Sequence, residues 1–394
     1  MPFFLQVNLI KEYFNAAADA YGVWGMALML LMLVLFGIQL YYYMGLFRRL
    51  PSFKINSQKD KEGGLDGISV VLVMGDDYLY VENTLPLLLH QDYDLYEVII
   101  VYVGNNNDFA EALEMLAEVE PNFGTSRIKQ TPLHPISNKM ALNVGIKAAR
   151  YDNIIVTTPD AHPETPRWLS LMAKGFRKGE IVIGYCGIEQ KEGLADKMIR
   201  SSRMFSSLLY LTAAIRRKPY RGTIQNMGFA KHLYFDHKGF GHLNLNLGED
   251  DLFMQQLFTE NNYTIVMHPR ATIRQVRWGG LGWWFQVCRL RNHAYPFYPR
   301  RTQNFIEWES GSRLLLFMSA IAAIILLPNE IRIATAGLLL VRFTIVVIQM
   351  RRVAKRLGEK KLMPLYFVND LFEPIFELAV VISRKIKPIH EVWR

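Results

Sequence analysis

The chain has 394 residues, more than one average domain holds, with 51% hydrophobic residues, 21% charged residues and a formal net charge of +9 at pH 7. Its apolar residues concentrate at the two ends, which argues against a simple soluble globule, and its two cysteines, Cys186 and Cys288, exclude a disulfide-stapled scaffold. No nucleic-acid motif accompanies the basic charge, which lies largely where anionic lipid would be met.

After a leader (1–19), the segment 20–47 carries no charged residue, and its 28 residues at about 1.5 Å each give roughly 42 Å of helix, enough to cross a bilayer. The run is too long for a signal peptide and ends in Arg48-Arg49 without a small-residue cleavage site. The linker 48–63 holds Arg48, Arg49, Lys54, Lys59 and Lys61, whereas the leader offers Lys11 against Glu12 and Asp19. The positive-inside rule then places the long middle region in the cytoplasm.

That region, 64–300, alternates strand-like and helix-like stretches. Strands are expected at 68–73, 97–103 and 153–158, and helices at 80–91, 107–118 and 140–149. Such alternation indicates an α/β fold with a mostly parallel sheet, whose ligands bind beyond the carboxyl ends of the strands. Asp76-Asp77, Gly104-Asn105-Asn106-Asn107 and Asp160-Ala161-His162 all fall there.

In the last part, 301–394, two apolar runs at 314–329 and 333–350 read as a helical hairpin turning at Pro328-Asn329-Glu330, with each arm short enough for a re-entrant or tilted pair as well as a full crossing. Arg342 in mid-arm is either functional or set in the interface. The segment 362–383 is apolar but contains Asp370, Glu373 and Glu377, and basic residues flank it on both sides, so it is expected as an interfacial helix.

Six blocks in order carry a resemblance: ISVVLVMGDD, TLPLLLHQDYDLYEVIIVYVG, NKMALNVGIKAA, the strand ending in DAHP, GTIQNMGFAK and GEDDLFMQQL. Over residues 64–300 the chain resembles a membrane-anchored family 2 glycosyltransferase of the GT-A (Rossmann-like) fold, whose members make bacterial surface polysaccharides and glycolipids. The resemblance implies inverting transfer from a nucleotide-sugar donor to a lipid-linked or glycan acceptor. It also implies a divalent cofactor (Mn²⁺ or Mg²⁺) and a catalytic domain on the cytoplasmic side of the bacterial inner membrane, in contact with membrane lipids. The alternative is a catalytically degenerate membrane scaffold of the same fold.

By that resemblance, Asp160 and His162 stand at the family's Asp-x-Asp metal motif after a one-residue shift; a plain polar loop is the other reading. Asp250 is the expected base that takes the acceptor's proton, with Glu249 beside it; the other reading is acids in the first turn of a helix. Three adjacent acids raise one another's pKa, which suits a base. For the family's Gln-x-x-Arg-Trp motif two stretches compete. Gln286 and Arg289 have the spacing, although Leu290 replaces Trp, and 275–278 has the residue types with one residue too few. The first is preferred, with Arg289 supplying a cation to the diphosphate. The neighbouring Trp283-Trp284-Phe285 either rests at the membrane interface or packs under the sheet. Donor contacts are expected from Asp77, Lys139, Asp160, Gln286 and Arg289, and acceptor contacts from Asn226 and Arg221. Lys139 reads almost as well as a solvated lysine. The chain departs from the family at Tyr102-Val103, where an Asp pair usually holds the nucleoside.

Overall fold

The computed structural model describes residues 3–53, 66–130, 136–239 and 249–386, with the side chains of 3–20, 249, 250 and 364 excepted. Most of the basic linker, and the side chains of Glu249 and Asp250, therefore lie outside the described residues.

The chain divides into two compact units. One takes the chain to Arg49 together with Arg300–Arg352 and Met363–Ala379; the other takes Leu50–Pro299, Val353–Leu362 and the chain from Val380.

The second unit is built on a seven-stranded sheet. Its strands are β1 (Ile68–Met74), β2 (Tyr96–Val103), β3 (Phe123–Ile128), β4 (Asn153–Val156), β6 (Ile181–Ile183), β8 (Met227–Ala230) and β9 (Tyr263–Ile265), in the order β3-β2-β1-β4-β8-β6-β9. β1 pairs in parallel with β2 and β4, and β2 with β3. β8 runs antiparallel to both β4 and β6. The sheet is thus mostly parallel, as expected, and reverses at one strand. A second sheet joins β5 (Ala161–Pro163), β10 (Ile273–Gln275) and β7 (Cys186–Ile188), with β10 in the middle, antiparallel to β5 and parallel to β7.

β1 and β2 are buried on both faces, which is why they read as near-continuous apolar runs. The helices that follow these strands start on side-chain caps: Asp77 accepts from the Tyr80 N–H, Asn106 from that of Phe109 and Ser137 from that of Met140. The expected helix at 80–91 is two short ones, Tyr78–Asn83 and Leu85–Leu89, because Pro86 has no N–H to continue the ladder.

The first unit is helical. Phe3–Leu40, interrupted at Gly22, continues as a π-helical stretch Tyr41–Phe47, and the hairpin is Arg300–Leu326 followed by Asn329–Leu357. Among the described residues three helices are long and apolar enough to cross a membrane, Tyr21–Ser52, Arg300–Leu326 and Asn329–Leu357, with mean hydropathies of 2.3, 1.6 and 2.1. At 27 and 29 residues the hairpin arms extend well past the apolar runs seen in the sequence.

Arg342 is buried within the unit, paired with Asp370, and donates to Gln39 Oε1 at 2.7 Å. Asp370 comes from the helix Tyr366–Ile386, whose faces are inverted. Asn369, Asp370 and Glu373 are buried, whereas Phe367, Val368, Ile375, Leu378 and Ile382 are exposed. An apolar face turned outward is the arrangement of a helix that lies against lipid.

Candidate active site

Because β1, β2 and β4 are parallel neighbours, the loops leaving their carboxyl ends open on one edge of the sheet. Asp76 and Asp77 follow β1, Gly104 to Asn106 follow β2, and Thr157 to Asp160 follow β4. Tyr102 donates its hydroxyl to Asp76 Oδ1 at 2.5 Å and accepts from the Asn106 N–H at 2.9 Å. A phenol therefore ties the first loop to the second.

Asp77 spends one oxygen on its helix cap and stays half-buried. Asp77 and Asp160 follow the parallel neighbours β1 and β4; burial raises the phenolic pKa of Tyr80, and the charges of Asp160 and then Asp77 raise it further. Asp160 itself is held at both oxygens. Oδ1 accepts from Thr158 Oγ1 at 2.5 Å and Oδ2 from Gln275 Nε2 at 2.7 Å, while the Asp160 carbonyl accepts from the Val276 N–H.

Gln275 belongs to the stretch that the sequence argument set aside for its spacing. Sheet register, which spacing does not report, is what brings it to Asp160. In the same ladder His162 faces Arg274, and Ala161 faces Gln275. Cross-strand partners share a face, so Asp160 and His162 engage adjacent residues of β10 that point to opposite faces. Burial lowers the His162 pKa, with Glu189 and Glu164 opposing this and Arg274 adding to it.

Among the described residues no three His, Cys, Asp or Glu side chains converge as a metal cage. Each Asp160 oxygen nevertheless keeps a lone pair beyond its present bond. That donor set fits Mg²⁺ or Mn²⁺ held by the protein at one or two points and otherwise by substrate phosphates.

A polar path leads inward from this edge. Thr157 Oγ1 donates to the Gln225 carbonyl at 3.1 Å, and Gln225 Oε1 accepts from Thr223 at 2.6 Å and from Arg203 Nη2 at 3.5 Å. Arg203 is buried in the helix Leu194–Ile215 and also donates Nε to the Cys186 carbonyl at 2.9 Å. Arg291, lying 5.6 Å from the ring centre of Trp284, has its pKa lowered to about 10 by burial and by Arg203 and Arg221. Arg203 and Arg221 thus both act on Arg291, and Arg221 is itself paired with Asp251. The sequence reading missed Arg203, since nothing in the spacing of a long helix marks a buried arginine, and Arg291, which ends the shorter helix Leu281–Arg291.

The remaining expected residues are placed as follows. Gln286 is exposed and Arg289 half-buried, three apart on the helix Leu281–Arg291 and so on the same side of it. Trp284 is buried and donates Nε1 to Ser202 Oγ at 2.9 Å, so this part of the aromatic stretch packs inside the unit. Lys139 lies in the first turn of Asn138–Ala148, half-buried. Arg221 is buried with its Nη1 3.5 Å from Asp251 Oδ2, beside the first turn of the helix Glu249–Leu257 and not in an open wall.

Asn226 corrects the expectation that it lines an acceptor pocket. It is fully enclosed; its Oδ1 accepts from Trp168 Nε1 at 3.0 Å, and its Nδ2 donates to the carbonyls of Tyr185 at 2.7 Å and Ala271 at 3.0 Å. No hydrogen of its amide remains for a ligand. Asn226→Ala takes the bonding partner from the Trp168 indole N–H and the Ala271 carbonyl and one of two donors from the Tyr185 carbonyl, and the expected result is a loss on the order of 3 kcal/mol of stability, read from thermal or urea unfolding.

The comparison with protein-family models finds no matching family, and the comparison with curated proteins finds no match. Solved structures do resemble the chain. A mannosyltransferase, PcManGT of Pyrobaculum calidifontis, in complex with GDP-Man and Mn²⁺, superposes over 91% of this chain and 97% of its own at a TM-score of 0.57 and 16% identity. TarS 1–349 of S. aureus in complex with UDP-GlcNAc covers 81% of this chain and 92% of its own at 14% identity, but its TM-score of 0.40 is too loose to carry the fold. The α/β fold described above is therefore one that a glycosyltransferase of known structure shares.

Proposed function

We propose that this chain is a glycosyltransferase that moves a sugar, with inversion, from a nucleotide-sugar donor to a lipid-linked or glycan acceptor at the cytoplasmic face of a bacterial membrane, in surface polysaccharide or glycolipid synthesis. The observation that carries the reading is Asp160: a carboxylate at the shared carboxyl edge of β1, β2 and β4, oriented by Thr158 and Gln275, with Asp77 acting on the same neighbour. GDP-Man and Mn²⁺ in the mannosyltransferase of similar fold support a donor of this class and a divalent ion.

Asp160 would hold the ion, which when bound would offset charge on the departing diphosphate; His162, the expected companion, engages the β10 residue on the face opposite Gln275, and its substitution tests whether it ligates. Asp76, Asp77 and Asn105 to Asn107 offer hydrogen bonds to the nucleoside, and Lys139, Gln286 and Arg289 lie in the segments assigned to the diphosphate. In the transfer itself, the acceptor oxygen bonds to the anomeric carbon as the bond from that carbon to the diphosphate breaks. The acceptor's proton passes to a carboxylate, for which Asp250 is the assigned group, with Glu249 beside it. Three apolar helices and the outward apolar face of Tyr366–Ile386 support lipid as the surrounding phase, and the expected domain limits (membrane helix 20–47, catalytic region 64–300, membrane-associated 301–394) stay part of the proposal.

The test is a screen of GDP-Man, UDP-GlcNAc and other nucleotide sugars with the purified full chain in detergent, with and without Mn²⁺. Binding is followed by calorimetry, and turnover by release of nucleoside diphosphate in the presence of a membrane lipid extract. At least one donor is expected to bind with a dependence on Mn²⁺ and to turn over; a chain that binds none of them is a scaffold, and the proposal fails.

A further inference from the structure

The segment 353–362 follows an apolar helix and lies beyond every block that resembles a glycosyltransferase, yet it contributes a buried acid to the second unit. The helix Asn329–Leu357 stops at Gly358, whose φ of 74° suits a residue without Cβ, and the Glu359 N–H closes the turn onto the Ala354 carbonyl at 2.8 Å. Glu359 is then buried with three donors on its carboxylate: Arg200 Nη2 at 2.7 Å, Tyr185 Oη at 2.8 Å, and Arg274 Nη1. Arg274 Nη2 also donates to the Gly358 carbonyl at 2.9 Å.

These contacts form one alternating chain of charge. Arg277 lies 3.8 Å from Asp196, Asp196 3.5 Å from Arg200, Arg200 2.7 Å from Glu359, Glu359 against Arg274, and Arg274 3.0 Å from Glu164. Arg274 and Arg277 bracket Gln275, the residue that holds Asp160, so the covalent chain through Gln275 closes these contacts into a ring. Glu359 is the acid that joins Arg200 to Arg274 in this ring. A second observation points the same way. Position 187 is glycine, and a Cβ there would stand 2.2 Å from Arg274 Nη1 and 2.5 Å from Glu359 Oε1. Strand β7 thus leaves room for this pair and for nothing larger.

We infer that Glu359 is a positioning residue of the donor site: by fixing Arg274 it sets β10, and through Gln275 it sets the carboxylate of Asp160. The inference rests on the proposed function, since it is the metal-nucleotide site that is being positioned. Residues supporting a metal ligand at one remove typically change metal affinity or activity by about 10–100-fold when lost.

The experiment measures the Kd of GDP and of UDP for the full chain in detergent, each with and without Mn²⁺, alongside the melting temperature, for the parent, Glu359→Gln, Glu359→Asp and Gly187→Ala. Glu359→Gln is expected to weaken the Mn²⁺-dependent nucleotide complex by about tenfold or more while leaving metal-free nucleotide binding unchanged, and Glu359→Asp to recover part of the loss. Gly187→Ala, which parts the ion pair without removing a charge, reads the same effect should Glu359→Gln not fold. If the parent binds a nucleotide with Mn²⁺ and both substitutions lower only the melting temperature, Glu359 is purely structural and the inference is overturned. If the parent binds neither nucleotide with Mn²⁺ and the donor screen finds no other that it binds, the proposed function falls and the inference with it.

Discussion

Asp160→Ala is expected to remove the Mn²⁺-dependent part of nucleotide-sugar binding and to lower transfer by about a hundred- to a thousandfold, the equivalent of roughly 3–4 kcal/mol of charge stabilisation. The size follows from what the carboxylate does in the proposed site. It is the acid at the donor edge oriented from two sides, by Thr158 and by Gln275, and an alanine there leaves both donors without their acceptor. Gln275→Leu keeps the carboxylate but frees one of its oxygens, so a smaller loss of about tenfold is expected. His162→Gln separates two readings of the loop: if the imidazole is a ligand, metal dependence weakens as it does for Asp160→Ala, and if it is a loop residue packed beside Arg274, only stability moves. Calorimetric titration of each variant with the donor found in the screen, at fixed and at varied Mn²⁺, decides among these outcomes. An Asp160→Ala protein that binds and transfers like the parent would remove the foundation of the proposed function.

Those elements that bury continuous β-branched runs were legible in the sequence. Ile68 to Met74 and Tyr96 to Val103 are closed on both faces, and the helix Asn107–Val119 carries its period together with an Asn cap. β3, with Gly124, Thr125, Ser126 and Arg127 between its ends, has no such pattern; it sits at the edge of the sheet and is only half-buried along most of its length. Strands of three residues, such as β5, β7 and β10, are too short for any period to show, and only pairing defines them. The site divides in the same way. Asp76, Asp77 and Asp160 follow strands that the sequence reveals, so their convergence at one edge could be read in advance. Gln275 reaches Asp160 from 115 positions away through a short ladder, and Asn226 is consumed by Trp168 from 58 positions away, contacts that no local spacing encodes.

The acids at 249 to 251 pose the sharpest separation of chemistry from stability, because adjacent residues are expected to fail in opposite ways. Asp251 is committed: its Oδ2 accepts from the Tyr298 hydroxyl at 2.5 Å and lies 3.5 Å from the Arg221 guanidinium, all three being buried. A carboxylate so placed serves as the buried counter-charge of Arg221, and its removal leaves that guanidinium unpaired in the interior. Asp251→Ala is therefore expected to cost about 3–5 kcal/mol of stability, seen as a lower unfolding midpoint. Asp250, the assigned base, is expected to behave otherwise. Replacement by Asn preserves its shape, so the unfolding midpoint and the Kd of the donor should hold while kcat falls by about a hundred- to ten-thousandfold. The result that would reverse the assignment is an Asp250→Asn protein that turns over normally, together with an Asp251→Asn protein that unfolds like the parent and transfers no sugar. Such an outcome would mean that the Arg221 and Tyr298 contacts tune a base instead of locking a structural acid, and the arginines around them would have to be read as part of the reacting centre.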